Sequence, residues 1–110
     1  MATISTHVLD TARGVPAEGV ALELVRLDGD TRTHLARATT NADGRAGTPL
    51  PAVEPGTYAL VFAVAEYFRR LNSEAFYDEI TVRFHVATDG ERYHVPLLLA
   101  PWGYSTYRGS

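Results

Sequence analysis

Hydrophobic and polar residues alternate along most of this chain with a period of two, the pattern of short strands that each cover one side of a core. In 3–9, Ile4, Thr6 and Val8 share one side and Thr3, Ser5, His7 and Leu9 the other, which predicts a strand with Ile4 and Val8 turned inward. Residues 10–19 hold the breakers Gly14, Pro16 and Gly19 and connect to a second strand at 20–27. Asp28-Gly29-Asp30 is a hairpin signal, with a returning strand at 33–39. Asp43-Gly44 turns a loop at 41–47, a very short strand follows before Pro49 and Pro51, and Glu54-Pro55-Gly56 turns again. Residues 57–64 form the most hydrophobic strand, which predicts a central one. Over 65–72 Phe68 and Leu71 stand three apart among charged residues, the spacing of one short helix, ended by Asn72 and Ser73. Ile80, Val82, Phe84 and Val86 then alternate inward, and Thr88-Asp89-Gly90 turns the chain into its last long strand.

That last strand departs from the rule. Tyr93, Val95, Leu97 and Leu99 point one way, and His94, Pro96 and Leu98 the other, so both faces carry apolar groups. An antiparallel strand over a single core has one wet face. The second face is therefore expected to be buried against another subunit, which puts His94 in an interface or cleft. Pro101, Trp102 and Gly103 turn the chain into a short final strand. With no repeat and no linker, residues 1–110 read as one all-β domain: a β-sandwich of seven to eight short strands in two antiparallel sheets, with one short helix. The same inventory also describes a fibronectin-like adhesion module.

Composition narrows the chemistry. Thirteen acidic and ten basic residues leave a net charge of −3, and all ten basic residues are arginine. Without lysine there is no Schiff base and no lysine general base. Without cysteine there is no disulfide, thiolate nucleophile or sulfur-ligated metal. No dense basic tract offers a nucleic-acid footprint. No apolar run reaches membrane-spanning length and no secretory leader follows Met1, so a cytoplasmic protein is expected.

Of the four histidines, His34 reads as a solvated strand residue and His85 as a surface or interface residue. His7 and His94 both occupy the non-core parity of their strands, among Leu9, Pro96 and Leu98. Two nitrogens are too few for a closed tetrahedral metal site, and Asp10 falls on the core-facing parity, so no metal is expected beyond an incidental occupant. Arg45 follows the Asp43-Gly44 turn, where an arginine taken alone is solvated.

Several segments are similar to the 5-hydroxyisourate hydrolases, the transthyretin-related enzymes of urate breakdown. They are Ser5-Thr6-His7-Val8-Leu9-Asp10-Thr11, Thr40-Asn41-Ala42-Asp43-Gly44-Arg45, Tyr93-His94-Val95-Pro96-Leu97-Leu98-Leu99 and the terminal Tyr104-Ser105-Thr106-Tyr107-Arg108-Gly109-Ser110. The resemblance spans essentially the whole chain. It implies a transthyretin-like fold of two four-stranded sheets, a homotetramer built as a dimer of dimers, and sites near the dimer–dimer interface. It also implies cofactor-free hydrolysis of 5-hydroxyisourate to 2-oxo-4-hydroxy-4-carboxy-5-ureidoimidazoline. Carried over residue by residue, it makes His7, His94, Arg45 and Ser110 catalytic and has Arg45, Tyr107, Ser105 and Arg108 bind substrate. Histidine suits proton transfer because its pKa of about 6.5 lies near working pH. His7 is favoured as base or water-positioning residue with His94 as its partner, and the two roles are exchangeable. The fork and charge of Arg45 suit an anionic urate-like ring and a developing oxyanion. The chain departs from the family's pattern where Asp78 replaces a common proline, and again at Ala100 and Trp102. None of these removes a candidate catalytic group. The alternative is a transthyretin-like small-ligand binding or transport protein; the full terminal tail and both histidines favour the enzyme.

Overall fold

The computed structural model describes all of residues 1–110. In chain order the elements are β1 (Thr3–Asp10), β2 (Val15–Pro16), β3 (Ala21–Asp28), β4 (Thr31–Thr39), β5 (Gly56–Ala63), α1 (Val64–Arg70), β6 (Ile80–Val86), β7 (Arg92–Ala100) and β8 (Gly103–Thr106). They form two four-stranded sheets, ordered β2-β1-β7-β8 and β4-β3-β5-β6. A core of 21 buried residues lies between them, to which β1 gives Ile4 and Val8 and β7 gives Tyr93, Val95, Leu97 and Leu99. The expected parities hold in both strands. β5 lies between β3 and β6 and buries Tyr58 through Phe62 without a break, so the most hydrophobic strand is an inner one.

Three details differ from the sequence reading. The connection after β1 contains the two-residue strand β2, paired to Leu9 and Asp10. The helix buries Val64, Tyr67 and Phe68 and leaves Leu71 exposed, so its inward stripe starts earlier than the Phe68–Leu71 spacing suggested. It stops because Asn72 takes a left-handed conformation, φ 56°. Finally, β1 and β7 run parallel, in register from Thr3↔Arg92 to Asp10↔Leu99, while every other strand pair is antiparallel. The whole second sheet intervenes between them, so the chain can return to the end from which β1 starts.

The hairpin β3–β4 closes with Asp28 opposite Thr31 around Gly29, whose φ of 57° suits the tight two-residue turn. Asp10 ends β1 buried, as its parity predicts, with one carboxylate oxygen accepting from the Tyr67 hydroxyl at 2.7 Å and the other from the Arg13 amide at 2.9 Å. Burial, helped by Asp10, pushes the Tyr67 hydroxyl up to about 12, so it stays a donor at any ordinary pH. This pair ties α1 to the end of β1. Asp78 offers its carbonyl to the Ala65 amide at 3.0 Å at the start of the helix.

The tail is shaped by a missing donor. β8 pairs with β7 from Ala100↔Gly103 to Leu97↔Thr106. The next rung would need an N–H from Pro96, which has none. The Pro96 carbonyl instead accepts from the Thr106 hydroxyl at 2.7 Å, and pairing lapses until Gly109 donates its N–H to the His94 carbonyl at 2.8 Å. Tyr107 and Arg108 are thereby released from the strand.

Candidate active site

On the outer face of the first sheet, four chain segments lie side by side. The turn at 41–46 docks against β1 through an antiparallel bridge between His7 and Arg45 and a bond from the Val8 amide to the Gly44 carbonyl, 2.8 Å. Asn41 builds that turn, its side-chain oxygen accepting from the amides of Asp43 and Arg45 at 3.0 and 3.1 Å. β1 supplies Ser5 and His7, β7 supplies His94, and the tail lays Gly109 against His94. In the parallel register Ser5 is directly opposite His94 and His7 opposite Pro96. His7 and His94 are thus diagonal neighbours, roughly 8 Å apart between Cα atoms by ordinary sheet spacing.

Each imidazole is seated by a glycine. At Gly44, φ 78°, an added Cβ would come within 2.3 Å of the Val8 carbonyl oxygen and 3.3 Å of His7 Cδ2. At Gly109 it would come within 2.6 Å of His94 Cδ2. The loop can lie this close to β1, and the tail this close to the His94 ring, only because neither carries a side chain there. On its other shoulder, His94 Nδ1 stands 2.8 Å from Ser5 Oγ.

His94 is half-buried, and its pKa is held below the ordinary histidine value of 6.5. Burial is the main cause, followed by the positive charge of Arg45 and then by His7. The imidazole is neutral at neutral pH, able to accept a proton and to donate one hydrogen bond. Leu9 and Leu98 are half-buried and Pro96 fully buried beside it, so the face is apolar around a small polar centre.

The other expected residues are placed differently. Ser105 shares this face but pairs with Leu98, four residues along β7 from His94, roughly 13 Å away by strand rise. The Arg108 guanidinium bonds Glu91 at 3.0 Å and the Arg92 carbonyl at 3.1 Å and lies 4.4 Å over the Tyr93 ring, so it tethers the tail on the core side of the sheet. Tyr107 and Arg108 line a cavity of about 500 Å³ at the open edge of the sandwich, with Val82, Phe84, Tyr93 and Val95. Ser110 follows Gly109 and is exposed. His34 pairs with Glu23 at 2.8 Å, and His85 lies exposed on the opposite sheet. Sequence reasoning left Ser5 out of the site. Its parity, shared with His7, was the one available signal. No group of three or more carboxylate, histidine or cysteine side chains gathers anywhere that could hold a metal.

Known proteins are similar to this chain over nearly its whole length. A 5-hydroxyisourate hydrolase of Deinococcus radiodurans is 51% identical over 113 aligned residues, covering 97% of this chain and 95% of that protein. The solved Klebsiella pneumoniae 5-hydroxyisourate hydrolase superposes with a TM-score of 0.86 at 40% identity, covering 100% of this chain and 94% of that one. Sea bream transthyretin, solved in complex with thyroxine, superposes with a TM-score of 0.91 at 27% identity, covering 97% and 94%. The fold is therefore common to the hydrolases and to a transthyretin solved with thyroxine, and sequence identity is higher to the hydrolases. The sequence model of the HIUase/Transthyretin family matches residues 4–109, and the chain belongs to that family.

Proposed function

We propose that this protein hydrolyses 5-hydroxyisourate, opening its ring to 2-oxo-4-hydroxy-4-carboxy-5-ureidoimidazoline. The observation that carries the reading is the convergence of His7, Arg45 and a neutral His94 on one apolar sheet face. A water placed between the imidazoles gives one proton to His94 and attacks the ring carbonyl. The tetrahedral oxyanion that forms is stabilised by Arg45, and the ring C–N bond then breaks. The proton held on His94 returns to the departing ring nitrogen, so the step balances with one water consumed and no cofactor. His7 orients the water. The depressed pKa is the reason for giving the proton-accepting role to His94, the exchange of roles that the sequence left open.

Ser110, one residue past the glycine that seats His94, is within the same proposal as a group that orients water or substrate. Tyr107 and Ser105 join it only if a second subunit completes the site. Arg108 acts by holding the tail. The assembly proposed is a homotetramer with its sites near the dimer–dimer interface. Its supports are the half-buried apolar residues Leu9 and Leu98 on the outer face and the large exposed side chains Phe76, Trp102 and Tyr107, 70%, 67% and 57% exposed in the single chain. A cytoplasmic location belongs to the same proposal.

The test is the ultraviolet decay of freshly generated 5-hydroxyisourate, with and without protein, against the spontaneous rate. Protein-dependent acceleration that disappears in His94→Asn is expected. A folded protein that leaves the spontaneous rate unchanged sinks the hydrolase and favours a transthyretin-like ligand carrier.

A further inference from the structure

Ser5 takes no part in the chemistry above, yet it makes the only side-chain hydrogen bond to either candidate histidine. Its Oγ stands 2.8 Å from His94 Nδ1 across the parallel pair β1–β7, where the two residues are directly opposite. The other shoulder of the same ring, Cδ2, is packed against the tail backbone at Gly109, where even a Cβ would come within 2.6 Å. Nδ1 and Cδ2 are the two ring atoms adjoining Cγ. The imidazole is therefore gripped at its base on both sides, and only its outer edge, Cε1 and Nε2, is free to meet a substrate. Turning the ring over would put a carbon against the serine oxygen and a nitrogen against the tail, forfeiting the bond.

A hydroxyl can donate or accept, so the proton between Ser5 and His94 has two possible owners. Electrostatics decides between them. Arg45 occupies the same face and its charge reaches His94. A lone pair on the outer edge of the ring meets that positive potential favourably, whereas an N–H pointing outward would meet like sign. The hydrogen bond made by one ring nitrogen fixes the state of the other.

We propose that Ser5 is a positioning residue: its Oγ accepts a hydrogen bond from Nδ1–H of His94, fixing the ring's orientation and tautomer and leaving Nε2 as the nitrogen that takes the proton from water. The use made of Nε2 rests on the hydrolase reading, while the Ser5–His94 pairing rests on geometry alone.

Heteronuclear NMR of the imidazole nitrogens tests the pairing directly, with the His94 signals identified by their absence in His94→Asn. At a pH where His94 is neutral, the wild type is expected to carry its proton on Nδ1. Ser5→Ala should release the ring to a mixture of tautomers, and Ser5→Thr, which keeps the hydroxyl, should restore the single form. In the decay assay Ser5→Ala should lower kcat roughly 3- to 10-fold, the worth of one neutral hydrogen bond, with KM nearly unchanged and Ser5→Thr close to wild type. A purely structural role for Ser5 would move neither the tautomer nor the threonine rescue. A proton on Nε2 in the wild type, or a Ser5→Ala spectrum identical to wild type, overturns the proposal. The expected tautomer pattern in a protein that does not accelerate 5-hydroxyisourate decay would uphold the pairing and reject the hydrolase.

Discussion

At the scale of single residues, four histidines of one chain have been given different chemistry by their surroundings. His34 is an exposed partner of Glu23 and His85 is an exposed strand residue. The pKa of His94 is held below 6.5 by burial and by the charges of Arg45 and His7. Two consequences follow from that sign. The acid limb of kcat/KM should fall below 6.5, since the neutral base survives to lower pH, and Arg45→Gln should move the limb upward while also lowering the rate. A limb unmoved by that substitution would separate Arg45 from His94. For stability, the unfolded chain takes up a proton on this residue near 6.5 while the folded one does not. The contribution is complete above that pH and is lost as pH falls toward the folded value. Replacing His94 or His7 by asparagine should cost about 10²–10⁴ in turnover with the fold intact, measured by the decay assay beside circular dichroism. Both histidines were legible in the sequence because a period of two assigns each strand residue a side. Ser5 was equally well placed, but a lone serine on a strand looks like any surface hydroxyl until its partner across the sheet is known. Arg45 was legible only by resemblance: it sits in a turn, and no periodicity says which way a turn residue faces.

At the scale of elements, two short pieces of backbone set the site. One is the turn at Gly44, where a Cβ would strike the Val8 carbonyl beside His7, and the other the tail at Gly109, where it would strike the His94 ring. Gly109→Ala should displace either the tail or the His94 ring, lowering activity while hardly changing unfolding, because the residue lies outside the core cluster. Wild-type activity in that variant would show that the tail does not seat the ring. The lapse at Pro96 leaves Tyr107 and Arg108 between the last paired rung of β8 and the bridge from Gly109 to His94. A proline in an inner strand removes a rung, yet the bridge from Gly109 to His94 keeps the register of Leu97↔Thr106, so the lapse is local. Stability depends on a different junction, where Tyr67 on α1 meets the buried Asp10 of β1. Tyr67→Phe leaves one carboxylate oxygen buried without a donor and should cost about 1–3 kcal/mol in urea unfolding, with catalysis little affected. That pairing was half legible: parity turned Asp10 inward, but only the packed helix identifies its partner.

At the scale of the whole molecule, the fold class, the two-sheet architecture and the inward faces were all readable, because one core and one period dictate them. Strand direction was not. The parallel pairing of β1 with β7 depends on where the chain returns after building the second sheet, which local pattern does not encode. The outer face of β7 was read as buried against another subunit, and Pro96 is already covered within one chain, by its own neighbours. The remaining apolar groups, Phe76, Trp102, Leu9 and Leu98, are the reason to expect about four times the chain mass of 12.0 kDa in solution by light scattering. A stable monomer would leave Tyr107 and Ser105 without a route to the site. The parallel pair has a further consequence, for biosynthesis. The Ser5–His94 bond joins positions 89 apart, and Gly109 closes the ring's other flank from still further along the chain. Contacts of such long range are costly to form early. On the ribosome the first strand must wait, with its histidine exposed, while the entire second sheet is made. The candidate catalytic face thus comes into being only after β7 and the tail have emerged, and a stalled or shortened nascent chain lacks it however much of its second sheet has formed.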